Sequence, residues 1–118
     1  MSYTIGQVSE QTGLSIHALR YYEKEGIMPA VNRNENGIRL YESKDIEALE
    51  FITCLRATGM KISDIKEFVK DTTTIDERIG MLEKQQENVK AQIDQLVAYQ
   101  AMIYRKIDIY NKMRRGLK

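Results

Sequence analysis

The apolar positions of this chain change period partway along it, and the change divides the sequence in two. From Ile75 onward they keep a heptad, with Ile75, Leu82, Val89, Leu96, Ile103 and Tyr110 recurring every seven residues. Ile79, Ile93 and Ile107 fill alternate sites of a second seam, and Gln86 and Gln100 take the sites between them. Thr74-Ile75-Asp76-Glu77 supplies a capping box at the start. No proline follows, and only Gly80 weakens the pattern. The spacing predicts one helix over about 74–114, a rod of roughly 60 Å at about 1.5 Å per residue. A seam that narrow and that long needs another helix beside it. Nothing else in the chain is long enough, so the simplest partner is a second copy. Ile79, Leu82, Val89, Ile93, Leu96, Ile103 and Ile107 are the expected contacts of such a homodimer. Glutamines at core sites cost stability and commonly fix register.

Before residue 74 the elements are short and densely punctuated. Thr4-Ile5-Gly6-Gln7 has the form of a capping box, and Ile5 and Val8 then give a short apolar stripe. Gly13 stands where a left-handed residue would end a helix, and Ser15 is a good N-cap two residues later. This reads as helix, tight turn, helix. The second helix, roughly Ile16 to Glu25, carries the most information. Ile16, Leu19 and Tyr22 can face inward, while His17, Arg20, Tyr21 and Lys24 fall at i, i+3, i+4 and i+7 on the other side. No carboxylate lies within that outer stripe, since Glu23 and Glu25 fall off it. On an arbitrary helix such a face is ordinary solvated surface. Behind a tight turn, a second helix with a basic and aromatic face is what enters a major groove of double-stranded DNA.

Past Gly26 and Pro29, Asn36-Gly37 is a strong hairpin signal, because both residue types tolerate positive φ. The flanks, Ala30 to Arg33 and Ile38 to Tyr41, predict a two-stranded wing from which Arg33, Arg39 and Tyr41 project. Two more helices are expected. Ser43 would cap one running to about Thr58 and ended by Gly59, and Ser63 a shorter one with Ile65, Phe68 and Val69 toward the core. The expected organisation is a DNA-binding domain over 1–73 (wing about 28–42, two further helices about 44–71), a dimerisation helix over 74–114 and a short basic tail over 115–118. The fold class is mainly α: a winged helix-turn-helix followed by a long coiled-coil helix.

Composition narrows the function classes. The chain has 118 residues, 42% hydrophobic and 30% charged, which suits a soluble protein with a modest core. No apolar run approaches the roughly 20 residues needed to span a bilayer, so no membrane partner and a cytoplasmic location are expected. The net charge is only +1, with nine Lys/Arg against ten Asp/Glu over 1–70 and nine against seven over 71–118. Any DNA footprint must therefore come from the placement of a few cations. The single cysteine, Cys54, excludes an intrachain disulfide and a cysteine-based metal cluster within one chain. His17 and Cys54 lie on different predicted helices and supply no base-orienter arrangement, so neither catalysis nor a cofactor is expected.

The stretches YTIGQVSEQTGLS (Tyr3 to Ser15), LRYYEKEGI (Leu19 to Ile27) and NENGIRLYESKDIEALEFI (Asn34 to Ile52) together resemble the MerR family of transcription regulators. Leu-Arg-Tyr-Tyr-Glu followed by Asn-Gly-x-Arg-x-Tyr is the specific part of the match. The resemblance implies a homodimer whose two long helices pair antiparallel on a two-fold symmetric operator in an overlong promoter spacer. Signal reception then changes the DNA twist so that RNA polymerase engages both promoter elements. It also implies recognition-helix contacts from Arg20 and Tyr21, and wing contacts to phosphate from Arg39 and Tyr41. His17 and Ala18 stand where that family frequently has arginine and threonine, and Ile38 where it frequently has an aromatic residue.

Family members differ mainly after the dimer helix. Here Asn111 to Lys118 is only a short basic tail, and the cysteines that metal-sensing members place around that helix are absent, so no metal is expected. Cys54, in EFITCLRATGM, is similar to a branch associated with aldehyde, electrophile or nitrosative stress. At 100° per residue, Ile46, Ala48, Leu49, Ile52 and Leu55 form the core arc of its helix. Cys54 lies opposite, with Glu47, Glu50, Phe51, Ala57 and Thr58. A reactive thiol needs a nearby cation or helix N-terminus, and the near helical neighbours of Cys54 include Glu50 and no cation. A sensor thiol and a packing thiol both remain open at this point. So do two rival roles for the whole chain, a coiled-coil adaptor and an architectural DNA-binding protein without an effector.

Overall fold

The computed structural model describes residues 2–28 and 31–116, and their elements follow directly from local capping chemistry. Helix α1 spans Ile5–Thr12; the Thr4 hydroxyl accepts from Gln7 N, and Gln7 Oε1 accepts from Thr4 N. Gly13 ends α1 at φ 76°, a left-handed geometry that glycine adopts without steric cost. The turn is drawn tight by the Ser9 hydroxyl, which donates to the Leu14 carbonyl at 2.6 Å. Ser15 then caps α2, Ile16–Lys24, accepting from Ala18 N at 3.0 Å. Leu19 and Tyr22 are buried as expected, but Ile16 in the first turn is exposed.

The wing consists of β1, Asn32–Arg33, and β2, Arg39–Leu40, paired antiparallel with Arg33 opposite Arg39. It is shorter than the sequence predicted, and Ala30, placed in its first strand by the sequence, lies outside the described residues. Its turn also differs from the two-residue kind that Asn36-Gly37 suggests. Only Gly37 has positive φ, at 75°. The Asn34 side chain closes the turn instead, its Oδ1 accepting from both Asn36 N and Ile38 N. The result is a three-residue loop closed by an Asx-type turn.

Helix α3, Ser43–Ala57, starts one residue earlier than expected, with Glu42 rather than Ser43 at the N-cap. The Asp45 carboxylate accepts from Glu42 N at 2.8 Å, which ties the first turn of the helix to Glu42. Ile46, Leu49, Ile52 and Leu55 are buried along one face, whereas Ala48, at the margin of the predicted arc, is exposed. Helix α4, Ile62–Val69, begins with Lys61 at its N-cap and has Ser63 inside it. Ile65 is fully buried, and Phe68 and Val69 are half-buried. The core of the N-terminal unit is built from Val8, Leu19, Ile27, Tyr41, Leu49 and Ile65. Lys66 of α4 reaches the end of α2, its Nζ 3.0 Å from Glu25 Oε1.

Helix α5, Ile75–Arg114, is a single helix of 40 residues opened by the expected capping box between Thr74 and Glu77. The chain divides into two compact units, 1–81 and 82–118. Of the seam residues, Leu82 and Val89 are half-buried, while Ile79, Ile93, Leu96, Ile103 and Ile107 are exposed. Within the described residues no helix is long and apolar enough to cross a membrane.

Candidate nucleic-acid interface

The outer face of α2 has the composition and exposure that a major-groove reader needs. His17, Arg20, Tyr21 and Lys24 are all exposed, and Tyr21 retains 41% of its surface although its ring lies 6.1 Å from that of Tyr22. The exposed Tyr21 ring and the Arg20 and Lys24 cations combine an apolar platform with donors that can reach base edges or phosphate. The Ser15 cap fixes where this helix begins and so which turn carries His17 and Arg20.

The wing does not present its residues as the sequence predicted. Arg33 projects, with 46% of its side chain exposed, and its Nη1 donates to the Gly37 carbonyl at 2.9 Å across the loop. Arg39 instead turns inward, with 21% of its side chain exposed, and its Nε donates to Glu23 Oε1 at 2.7 Å. Tyr41 is fully buried, because its β-bridge to Tyr3 and the start of α3 leave its ring no outward path. Its hydroxyl has no hydrogen-bond partner among the described residues. Burial raises the Tyr41 phenol above its ordinary value, while Arg39 pulls it down and Glu23 and Asp45 push it up.

Glu23 is the residue that sequence reasoning misses, since helical spacing places it off the outer stripe. Burial alone would raise its carboxyl. The Arg39 hydrogen bond, the Val31 amide and the charges of Arg39 and Arg33 outweigh that and hold it below 4.5. Tyr3 was missed too, as partner of Tyr41: Tyr3 N donates to Tyr41 O at 2.7 Å and Tyr41 N to Tyr3 O at 2.9 Å. Neither pairing has a local signal, because each joins residues far apart in sequence. Cys54 is exposed on α3, away from the buried arc as expected. On the same helix Phe51 is 42% exposed, its ring 6.0 Å from that of Phe68 on α4.

Comparison with known proteins bears directly on this surface. Residues 3–72 match the MerR HTH family of regulatory proteins, and residues 46–105 match a second family described as MerR, DNA binding. An uncharacterized HTH-type transcriptional regulator of Haemophilus influenzae is 40% identical, across 97% of this chain and 87% of that protein. The HTH-type transcriptional regulator AdhR of Bacillus subtilis is 40% identical over 82 residues, which are 66% of this chain and 59% of AdhR. Among solved structures, HiNmlR, a MerR family regulator lacking the sensor domain and bound to promoter DNA, is similar with a TM-score of 0.87. It is 39% identical, and the match covers 99% of this chain and 97% of that one. With a helix-turn-helix, a wing and a long helix in the order those relatives share, the chain belongs to the MerR family and is a DNA-binding transcription regulator.

Proposed function

We propose that this chain acts in the cytoplasm as a homodimer that binds a two-fold symmetric promoter operator and distorts it, so that RNA polymerase can engage both promoter elements. Helix α2 enters the major groove with His17, Arg20, Tyr21 and Lys24, and the wing approaches the flanking backbone with Arg33 and Arg39. The observation that carries this reading is the exposure of one basic and aromatic face on the second helix of a tightly turned pair. The exposed apolar seam of α5 supports pairing with a second copy, since an apolar strip of that length is seldom left in water. Footprinting on the DNA upstream of the chain's own gene tests it. Protection of an inverted repeat, with affinity falling linearly in log salt, is the expected result. Salt-insensitive binding to a protein partner, with no protection, would favour the coiled-coil adaptor instead.

A signal input at Cys54 is the finer part of the proposal. The exposed thiol, on the same helix as the exposed Phe51 ring, supports reaction with an aldehyde or other electrophile. The adduct would act by shifting the balance between two DNA-bound states, because a ligand shifts an equilibrium only through differential affinity.

A further inference from the structure

Glu23 belongs to the recognition helix, yet both of its carboxylate oxygens are taken by the wing. Oε1 accepts from Arg39 Nε at 2.7 Å and lies 3.8 Å from Arg33 Nη2, and Oε2 accepts from Val31 N at 2.9 Å. Only 12% of the side chain is exposed. Arg33 and Arg39 are directly opposed across the two strands. Like charges so placed destabilise a ladder, and a hairpin of this length is marginal by itself. One half-buried carboxylate answers both problems. It offsets the charge of the arginine pair, and its hold on Val31 fixes where the first strand starts relative to α2.

We propose that Glu23 is a positioning residue for DNA recognition, setting the distance and angle at which the wing guanidinium groups stand from the Arg20 and Tyr21 face. This rests on the DNA-binding reading above, and it carries an unusual sign. An acidic side chain close to a polyanion ordinarily weakens binding, and its removal ordinarily strengthens it. Here the carboxylate strengthens specific binding, because two reading elements must meet the duplex in one fixed relation. Loss of a charge-assisted hydrogen bond at such a joint corresponds to about tenfold or more in affinity.

The test uses the full chain and two DNA probes, a duplex selected by the unmutated chain from a random-sequence pool and an alternating dI/dC copolymer. Glu23→Gln is expected to lose about tenfold or more on the selected duplex while holding or gaining affinity for the copolymer. In the double variant Glu23→Gln/Arg39→Ala, the arginine should matter less than it does alone, a non-additivity that the cycle reads directly. A rise on both probes would overturn the proposal by making Glu23 a simple repulsive charge. So would unchanged affinity for the selected duplex, or additivity in the cycle. Equal losses on both probes, matching a loss of folded protein by circular dichroism in the same solution, would reduce Glu23 to a fold-stabilising residue. If Glu23→Gln fails to fold, Arg39→Lys, which keeps the charge but not the Nε geometry, should show the same selective loss. An unmutated chain that selects no duplex would overturn the DNA-binding reading itself, and this inference with it.

Discussion

Arg78, in the first turn of α5, donates from Nε to the carbonyl of Phe68 at 3.0 Å while its guanidinium stands 6.0 Å from the Phe68 ring. Nη2 of the same side chain donates to the Lys70 carbonyl at 2.8 Å. Helix α4 ends at Val69, so these are terminal carbonyls that the helix cannot satisfy internally. Arg78→Ala should therefore destabilise the N-terminal unit by about 1–2 kcal/mol. Arg78→Lys should recover less than half of that, because one ammonium lacks the planar fork that reaches two carbonyls and stacks on a ring. Urea denaturation checks both variants, and unshifted midpoints would refute the role.

Leu96 stands at the middle of the α5 seam, 66% exposed in the single chain. Leu96→Glu should dissociate the dimer by placing a charge where an apolar contact forms. Sedimentation should then report a monomer for the variant and a dimer for the unmutated chain. A monomer for both would remove the second copy from the proposed function.

Arg20→Ala and Arg39→Ala should weaken DNA binding in different ways. Arg20 is free on the reading face, and its loss should cost about 1–3 kcal/mol and relax preference at one base position. Arg39 loss should flatten the salt slope by about one unit and, because it also breaks the Glu23 joint, weaken the selected duplex more than other sequences without relaxing preference at a single base position. Equal, sequence-blind effects at both positions would mean that the two roles are wrongly assigned.

The buried hydroxyl of Tyr41 separates two accounts of that residue. With no partner among the described residues, it carries an uncompensated desolvation cost. Tyr41→Phe should therefore be neutral or stabilise the fold by about 1 kcal/mol, with DNA affinity unchanged. A marked loss of affinity without loss of stability would restore the phosphate contact implied by the family resemblance.

Cys54→Ala should leave dimerisation, operator binding and basal transcription intact and abolish induction by a small aldehyde in a promoter-reporter assay. The intact thiol should also react with that aldehyde faster than free cysteine does. Full inducibility of the alanine variant would leave Cys54 as packing only.

What could be read from the sequence depended on how far apart the interacting residues lie. The caps at Thr4, Ser15 and Thr74, the αL glycine at 13 and the heptad of α5 all act within seven residues, and each was visible. So was the outer stripe of α2, because helical spacing alone decides it. The wing was harder. Asn36-Gly37 marked the turn, but the competing Asn34 side chain changed its type. The inward turn of Arg39 and the burial of Tyr41 depend on Glu23 and Tyr3, which no local pattern connects to them. The α3 start moved for a simpler reason: Asp45 reaches back to the Glu42 amide and ties the first turn to Glu42.

The bridge between Tyr3 and Tyr41 occupies the residues just before the N-caps of α1 and α3. Its two amides are thus locked to each other at the point where two helices begin. Opening the base of the wing exposes both helix starts, so it is not a local event. In native-state hydrogen exchange the amides of Tyr3 and Tyr41 should accordingly exchange together, and with the slow amides of α1 rather than with Asn36 at the tip. The wing then behaves as two kinetic zones, a tip that frays on its own and a base that opens only with the cooperative unit of the first helix.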